Sequence, residues 1–274
     1  MRFRLVLAQL EPIPGSIEKN LKRIEEIVES YEGDLYVFPE LFLCGYTSMD
    51  ALYRLGMDLT HPAVTRLRNL CLSRGVGIVV GFPELSSLGY LYNSALAIDD
   101  RGEVYVYRKR HLPTFSMFDE ARWFRASKSR RLDPWRFRGV GVGIAICYDV
   151  FFPEIFRAYA LKGAYLSIVI SASPDSSVPL FHVLLRARAL ENTMFIAWIN
   201  TAGVLDGATF GGGSLVVAPN GTILAELRRG EEEVRVVELD FSEALRFRVQ
   251  RPVIRDVQIE DVEVLLEAYR EMDG

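Results

Sequence analysis

The chain has 274 residues, 50% hydrophobic and 25% charged, with a formal net charge of -4. That balance excludes a disordered polymer and is enough to bury a large core, as two small domains or one large α/β domain. The mild acidity gives no general attraction to nucleic acid, and no apolar run approaches the length of a membrane span.

"FRLVLAQL" (3–10) reads as a buried strand. A helix follows over 16–30, with Ser16 as N-cap and Ile17, Leu21, Ile24, Ile27 and Val28 at helical spacing. "DLYVFPE" (34–40) is strand-like and stops at Pro39. Residues 61–75 read as a helix with Pro62 near its start and Gly75 past its end; Cys71, four residues after Leu67, falls on its apolar face as a core cysteine. Strands are expected over 75–84, 92–99 and 102–109, the last two joined by a hairpin turn at "DDRG" (99–102). Another strand spans 136–147, then a helix over 152–163, a buried strand over 164–171 and a helix over 178–193. Strands over 194–200, 212–227 and 234–240 follow, the middle one turning at Asn220-Gly221. An amphipathic helix over 259–272 closes the chain, with Val262, Leu265, Leu266 and Tyr269 on one side. That side suits either the chain's own core or a partner.

Strands outnumber helices, and hairpins mix with strand–helix–strand alternation. This predicts a mixed sheet system with helices on its outer faces. With no repeat, low-complexity segment or linker, residues 1–274 read as a single domain, the tail from about 250 being a candidate for an oligomer interface. The N-terminal apolar run is short and broken by charges and Gln9, so it reads as a strand and not a signal peptide. Cys44, Cys71 and Cys147 form no C-x-x-C pair and do not cluster with the three histidines, which argues against disulfides and a zinc site. The expected setting is a reducing cytoplasm. Arginine outnumbers lysine while asparagine and glutamine are sparse, a weak pointer to a hot-growing source.

"GVGIAICYDVFFPE" (141–154) carries the chemistry question. Cys147 is either a small buried hydrophobe or a nucleophile at a strand end. Just before a helix whose first turn is "FPEI", it would face backbone N–H groups and a positive helix end, which favour the thiolate. The "GVGVG" at 139–143 does not read as a dinucleotide loop, because its glycines lie inside a strand and no helix opens on them. A nucleophilic cysteine needs a base. His61, His111 and His182 show no triad context. Two other strands end in ionisable groups: "LYVFPE" delivers Glu40 and "VYVYRK" delivers Lys109. Singly, each has a bland reading as a loop carboxylate or a solvated basic patch. Together, Glu, Lys and Cys at three strand ends are placed to converge at one end of a sheet.

"VFPELFLCGY" (37–46), "YRKRHLPTFSMFDEARWF" (107–124) and "ICYDVFFPE" (146–154) resemble the three signature blocks of the nitrilase superfamily, the carbon–nitrogen hydrolases. The likeness continues through "ARALENTMFIAWIN" and "FGGGSLVVAPNG", from Arg2 to about Asp240. It implies a four-layer α-β-β-α sandwich of two mixed α/β sheets with helices outside. It also implies Glu40 as general base, Lys109 as the catalytic lysine, Cys147 as nucleophile and Glu120 as a second glutamate beside the lysine, unless Glu120 only pairs with Arg122 or Arg125. The backbone N–H of Tyr148 joins Lys109 as the expected oxyanion donor. Tyr46, Phe115, Phe151 and Phe152 are the candidate pocket residues, with Phe118 nearby. Asp149 reads as a cap or pairing group, Glu154 as a structural partner of Arg188, and Cys44 as a packed thiol. The resemblance implies no metal or cofactor, a small amide as substrate and a thioester on Cys147, with homodimers or larger homo-oligomers. "CYD" is amidase-like; a nitrile is the alternative substrate. A third reading is a non-catalytic or ammonia-supplying subunit. An acyltransferase would share the thioester.

Overall fold

The first strand shows why the chain layers as it does. In β1 (Arg2–Gln9), Phe3, Leu5 and Leu7 turn to one side and Val6 and Ala8 to the other, and both sets are buried. A strand buried on both faces requires cover on both. The structure, a computed structural model, describes residues 1–46, 49–205 and 207–272.

After β1 come α1 (Ile17–Ser30), β2 (Leu35–Val37), α2 (Met49–Leu55), α3 (Pro62–Arg74), β3 (Gly77–Leu85), β4 (Leu91–Ile98) and β5 (Val104–Arg108). The second half runs through β6 (Trp135–Phe137), β7 (Val140–Ile146), α4 (Pro153–Leu161), β8 (Ala164–Ser171), α5 (Val178–Asn192) and β9 (Phe195–Asn200). It closes with β10 (Ala202–Leu205), β11 (Ala208–Gly211), β12 (Leu215–Val217), β13 (Ile223–Glu226), β14 (Glu233–Asp240), α6 (Phe241–Gln250) and α7 (Ile259–Met272). Among the described residues these strands form two six-stranded sheets, β14-β1-β2-β3-β4-β5 and β13-β12-β9-β8-β7-β6, and a two-stranded ribbon, β10-β11. Both sheets are mixed: β1–β2–β3 and β7–β8–β9 are parallel and the flanking pairs antiparallel.

Phe3, Leu5, Leu7, Leu35, Val37 and Val79 of the first sheet share one core with Val142, Ile144 and Ile146 of the second. The opposite face of the first sheet, with Val6, Tyr36, Ile78 and Val80, packs under α1 and α3 through Leu21, Ile24, Val64 and Cys71. The second sheet carries α4 and α5 on its outside through Phe156, Tyr159, Phe181 and Leu185. The order is helix, sheet, sheet, helix, the four-layer sandwich the resemblance implied.

The glycines of β7 serve packing. A Cβ at Gly143 would stand 2.5 Å from the Tyr159 ring of α4, and Tyr159 Oη donates to the Ile144 carbonyl at 2.8 Å. The strand expected over 136–147 is instead a hairpin. Arg138 (φ 45°) and Gly139 (φ 80°) turn the chain between β6 and β7, since two positive φ values form the tight turn that suits a strand pair. Arg138 is held there by Asp34 at 2.6 Å and Asp100 at 2.9 Å. The sequence reading missed α6, although Asp240 caps it by accepting from Ser242 N at 3.0 Å. Ser16 makes no side-chain cap bond to α1. The last helix, α7, buries no residue on its own chain's core; Tyr269 Oη donates to Glu154 at 3.2 Å. Glu154 therefore does not pair with Arg188, which meets Glu191 at 2.8 Å. Among the described residues no helix is long and apolar enough to cross a membrane.

Gly143→Ala is expected to lower the free energy of unfolding by about 1–3 kcal/mol, because the new methyl must displace the Tyr159 ring. Urea unfolding checks this; an unchanged midpoint would show that α4 shifts without cost.

Candidate active site

Lys109 follows directly on β5, Cys147 directly on β7, and Glu40 and Ser173 two or three residues past β2 and β8. Two antiparallel steps separate β5 from β3, so β5 runs in the same sense as β2 and their ends face the same way.

Glu40 is set by a close backbone contact. Phe38 N donates to the Val79 carbonyl at 2.8 Å, Gly81 N to the Pro39 carbonyl at 3.1 Å and Leu43 N to the Gly81 carbonyl at 3.1 Å. A Cβ at position 81 would stand 2.2 Å from Leu41 N and 2.6 Å from Glu40 Cα. Only glycine lets the chain carrying Glu40 lie this close to β3.

The polar floor is a buried chain of charges. Lys109 Nζ donates to Glu40 Oε1 at 2.7 Å and to Glu120 Oε1 at 2.8 Å, and all three side chains are essentially inaccessible. Glu40 is further held by Asn93 Nδ2 on Oε1 at 2.7 Å and by the Ala172 N–H on Oε2 at 2.8 Å, a bond from the second sheet. Tyr46 Oη donates to Glu120 Oε1 at 3.1 Å, while Glu120 Oε2 is buried without a hydrogen-bond partner among the described residues. Glu120 thus meets Lys109, not Arg122 or Arg125. Burial works against the Lys109 ammonium, but the Glu120 and Glu40 carboxylates outweigh it and hold its pKa above the ordinary lysine value. Burial raises Glu120 to about 7; Lys109 opposes this and Glu40 adds to it.

Cys147 sits at φ 47°, left-handed backbone that a non-glycine residue adopts only under constraint. Its Sγ lies 3.4 Å from Ser173 Oγ, one residue along from the Ala172 N–H that holds Glu40. Burial, then the Glu40 carboxylate, pushes the thiol up to about 12, against the opposing effect of Lys109. This corrects the expectation of a helix-stabilised thiolate. A 3₁₀ turn over Cys147–Phe151 separates the thiol from α4, which begins at Pro153, so burial decides.

Asp149 ties the cysteine turn to β5. Its Oδ2 accepts from Ile146 N at 3.2 Å and Tyr107 Oη at 2.8 Å. Its Oδ1 accepts from His111 N at 3.0 Å and meets His111 Nδ1 at 2.9 Å. His111 in turn stacks on Phe152 at 3.4 Å between ring centroids. Phe152 is therefore part of this support and does not line the cavity at Cys147, whereas Phe115, Phe118 and Phe151 do. Tyr46 packs against Phe118 and Phe210 beside Glu120. Cys44 is fully buried, with Sγ against the Leu41 and Gly45 carbonyls. Among the described residues, no group of three or more His, Cys, Asp and Glu is placed to hold a metal ion.

The sequence reading missed Gly81, Asn93 and Ser173. Asn93 carried a faint signal as a lone amide in the apolar run of β4. Gly81 and Ser173 carried none, because their roles depend on what another segment brings near.

Residues 4–248 match the model of the carbon–nitrogen hydrolase family, and the chain belongs to that family. It is 34% identical over 258 residues to an (R)-stereoselective amidase from a Pseudomonas species, covering 93% of this chain and 91% of that one. It is 31% identical over 261 residues to the 2-oxoglutaramate amidase of Bacillus subtilis, covering 94% and 98%. Among solved structures it is similar to a double mutant of the amidase from Nesterenkonia sp. AN1 in complex with acrylamide, with 29% identity, a TM-score of 0.81, and 96% and 97% coverage.

Glu120 gives a pH test. Its folded pKa of about 7 lies above the ordinary 4.5, so its contribution to stability is fully present below pH 4.5 and lost as pH rises through 7. Relative to Glu120→Gln, the wild type is expected to lose roughly 3 kcal/mol of unfolding free energy across that window. Paired urea titrations at several pH values read the difference; a flat one would mean Glu120 titrates normally.

Proposed function

We propose that the protein is a cysteine-dependent amidase that converts a small amide to its carboxylic acid and ammonia through a thioester on Cys147. One observation carries this reading: a thiol at φ 47° at the base of a cavity, beside a buried Glu40–Lys109–Glu120 chain. A non-catalytic scaffold gains nothing from burying two carboxylates and an ammonium, which costs several kcal/mol per ion unless every group is paired.

The resting thiol is protonated, so attack needs a base at hand. Glu40 takes the Cys147 proton as Sγ bonds to the amide carbonyl carbon. The carbonyl oxygen becomes an oxyanion, held by the Lys109 ammonium and the Tyr148 N–H. Collapse breaks the C–N bond, and Glu40 returns its proton to the departing nitrogen, which leaves as ammonia. Water then enters. Glu40 takes one of its protons, the hydroxyl adds to the thioester carbonyl, and the acid departs as the proton returns to sulfur. Lys109 keeps its charge throughout. Glu120, through the same Nζ, fixes the lysine's direction, and its unpartnered Oε2 is an acceptor suited to an amide N–H. The similarity to amidases supports this substrate class over nitriles.

Short aliphatic and aromatic amides are expected to release ammonia, with an acyl adduct on the wild-type protein in quenched intact-mass spectra. Cys147→Ala is expected to abolish both, and Glu40→Gln to lower the rate by about 10²–10⁴-fold. Ammonia release that survives in Cys147→Ala would sink the mechanism; release from nitriles alone would reassign the enzyme to nitrile hydrolysis.

A further inference from the structure

We propose that the acyl group this site accepts is uncharged and apolar, and that amides bearing a carboxylate on that group are excluded. The proposal rests on the amide-hydrolysis reading above and deepens it. The cavity above Cys147 holds about 260 Å³, room for an acyl side chain up to the size of a phenyl ring. Phe115, Phe118, Tyr148, Phe151, Leu180 and Phe181 make its walls. Beyond the thiol, its polar side chains are the hydroxyls of Ser173 and Ser177 and the Tyr148 phenol.

Among the described residues no lysine, arginine or histidine lines this space. Lys109, beneath it, already donates to two carboxylates. Arg229 reaches the neighbouring Asp175 but is held there, with contacts of 2.9 and 2.6 Å to Oδ1 and 2.8 Å to the carbonyl. The residues outside the described ones, 47, 48, 206, 273 and 274, include no lysine or arginine. A carboxylate entering here would lose its water, find hydroxyls in place of a cation, and approach the Glu40 carboxylate. Desolvating an ion without a counter-charge is the costliest transfer a pocket can impose. An isopropyl or phenyl group loses nothing polar and covers apolar surface. That surface reaches the rim, where Phe115 is 52% and Leu180 58% exposed; clustered exposed apolar side chains around a cavity mark a binding site.

The test compares 4-methylpentanamide with succinamate, in which a carboxylate replaces the isopropyl group at equal chain length. Ammonia release is expected to give kcat/KM at least about 100-fold higher for the neutral amide. Leu180→Arg, at an exposed position that tolerates a long side chain, is expected to narrow that ratio at least about tenfold by supplying a counter-charge. A ratio within about threefold in the wild type, or one unchanged in folded Leu180→Arg, overturns the assignment. Calorimetric binding of both amides to Cys147→Ala separates the two readings. Tighter binding of 4-methylpentanamide with no turnover by the wild type leaves this proposal standing and removes the hydrolytic one. Equal or tighter binding of succinamate overturns this proposal whatever the turnover.

Discussion

One buried ammonium group organises the site. Glu40 and Glu120 lie where two carboxylates could not both be ionised without a counter-charge, and Lys109 lies where no lone lysine would stay charged. Each makes the burial of the others affordable. The three come from separate segments, and the Ala172 N–H from the second sheet completes the coordination of Glu40. The charge chain therefore also fixes how the two sheets meet at this end. Removing one member would strand the rest in a dry interior, which is why the same contacts serve stability and chemistry.

The cysteine depends on this arrangement. Its thiol is not activated in advance by a helix end; burial keeps it protonated, and the neighbouring carboxylate makes ionisation harder still. In the proposed mechanism, reactivity comes from proton transfer during attack, which suits a fixed base better than a standing thiolate. The strained backbone at Cys147 is over-determined by Asp149, which binds the turn on one oxygen and the segment after Lys109 on the other. His111, stacked on Phe152, closes that support. His111 is thus a brace for the turn that carries Cys147.

Floor and walls divide the labour. In the polar floor Lys109 is already paired with two carboxylates, and the acceptor left over on Glu120 suits an N–H and not an anion. The walls are aromatic and aliphatic, with hydroxyls for polarity. The walls are where the proposed preference for apolar acyl groups resides.

The sequence by itself determined the layers, because unbroken apolar runs in the strands call for cover on both faces and helical spacing in α1 and α3 fixes which face is apolar. It also determined where Glu40, Lys109 and Cys147 stand, since each lies at or within three residues of a strand end and its block of neighbours is distinctive. What it left open depended on distance in space. The Arg138-Gly139 turn shows no Asn-Gly signature, and it holds because Asp34 and Asp100 arrive from elsewhere. Gly81 is one of several strand glycines until Glu40 is laid across it. The protonation of Cys147 was misjudged from sequence, since a strand-to-helix junction looks electropositive until its burial and its carboxylate neighbour are known. Only the tertiary structure decided these, because burial, field and close approach are properties of the packed chain and not of any single segment.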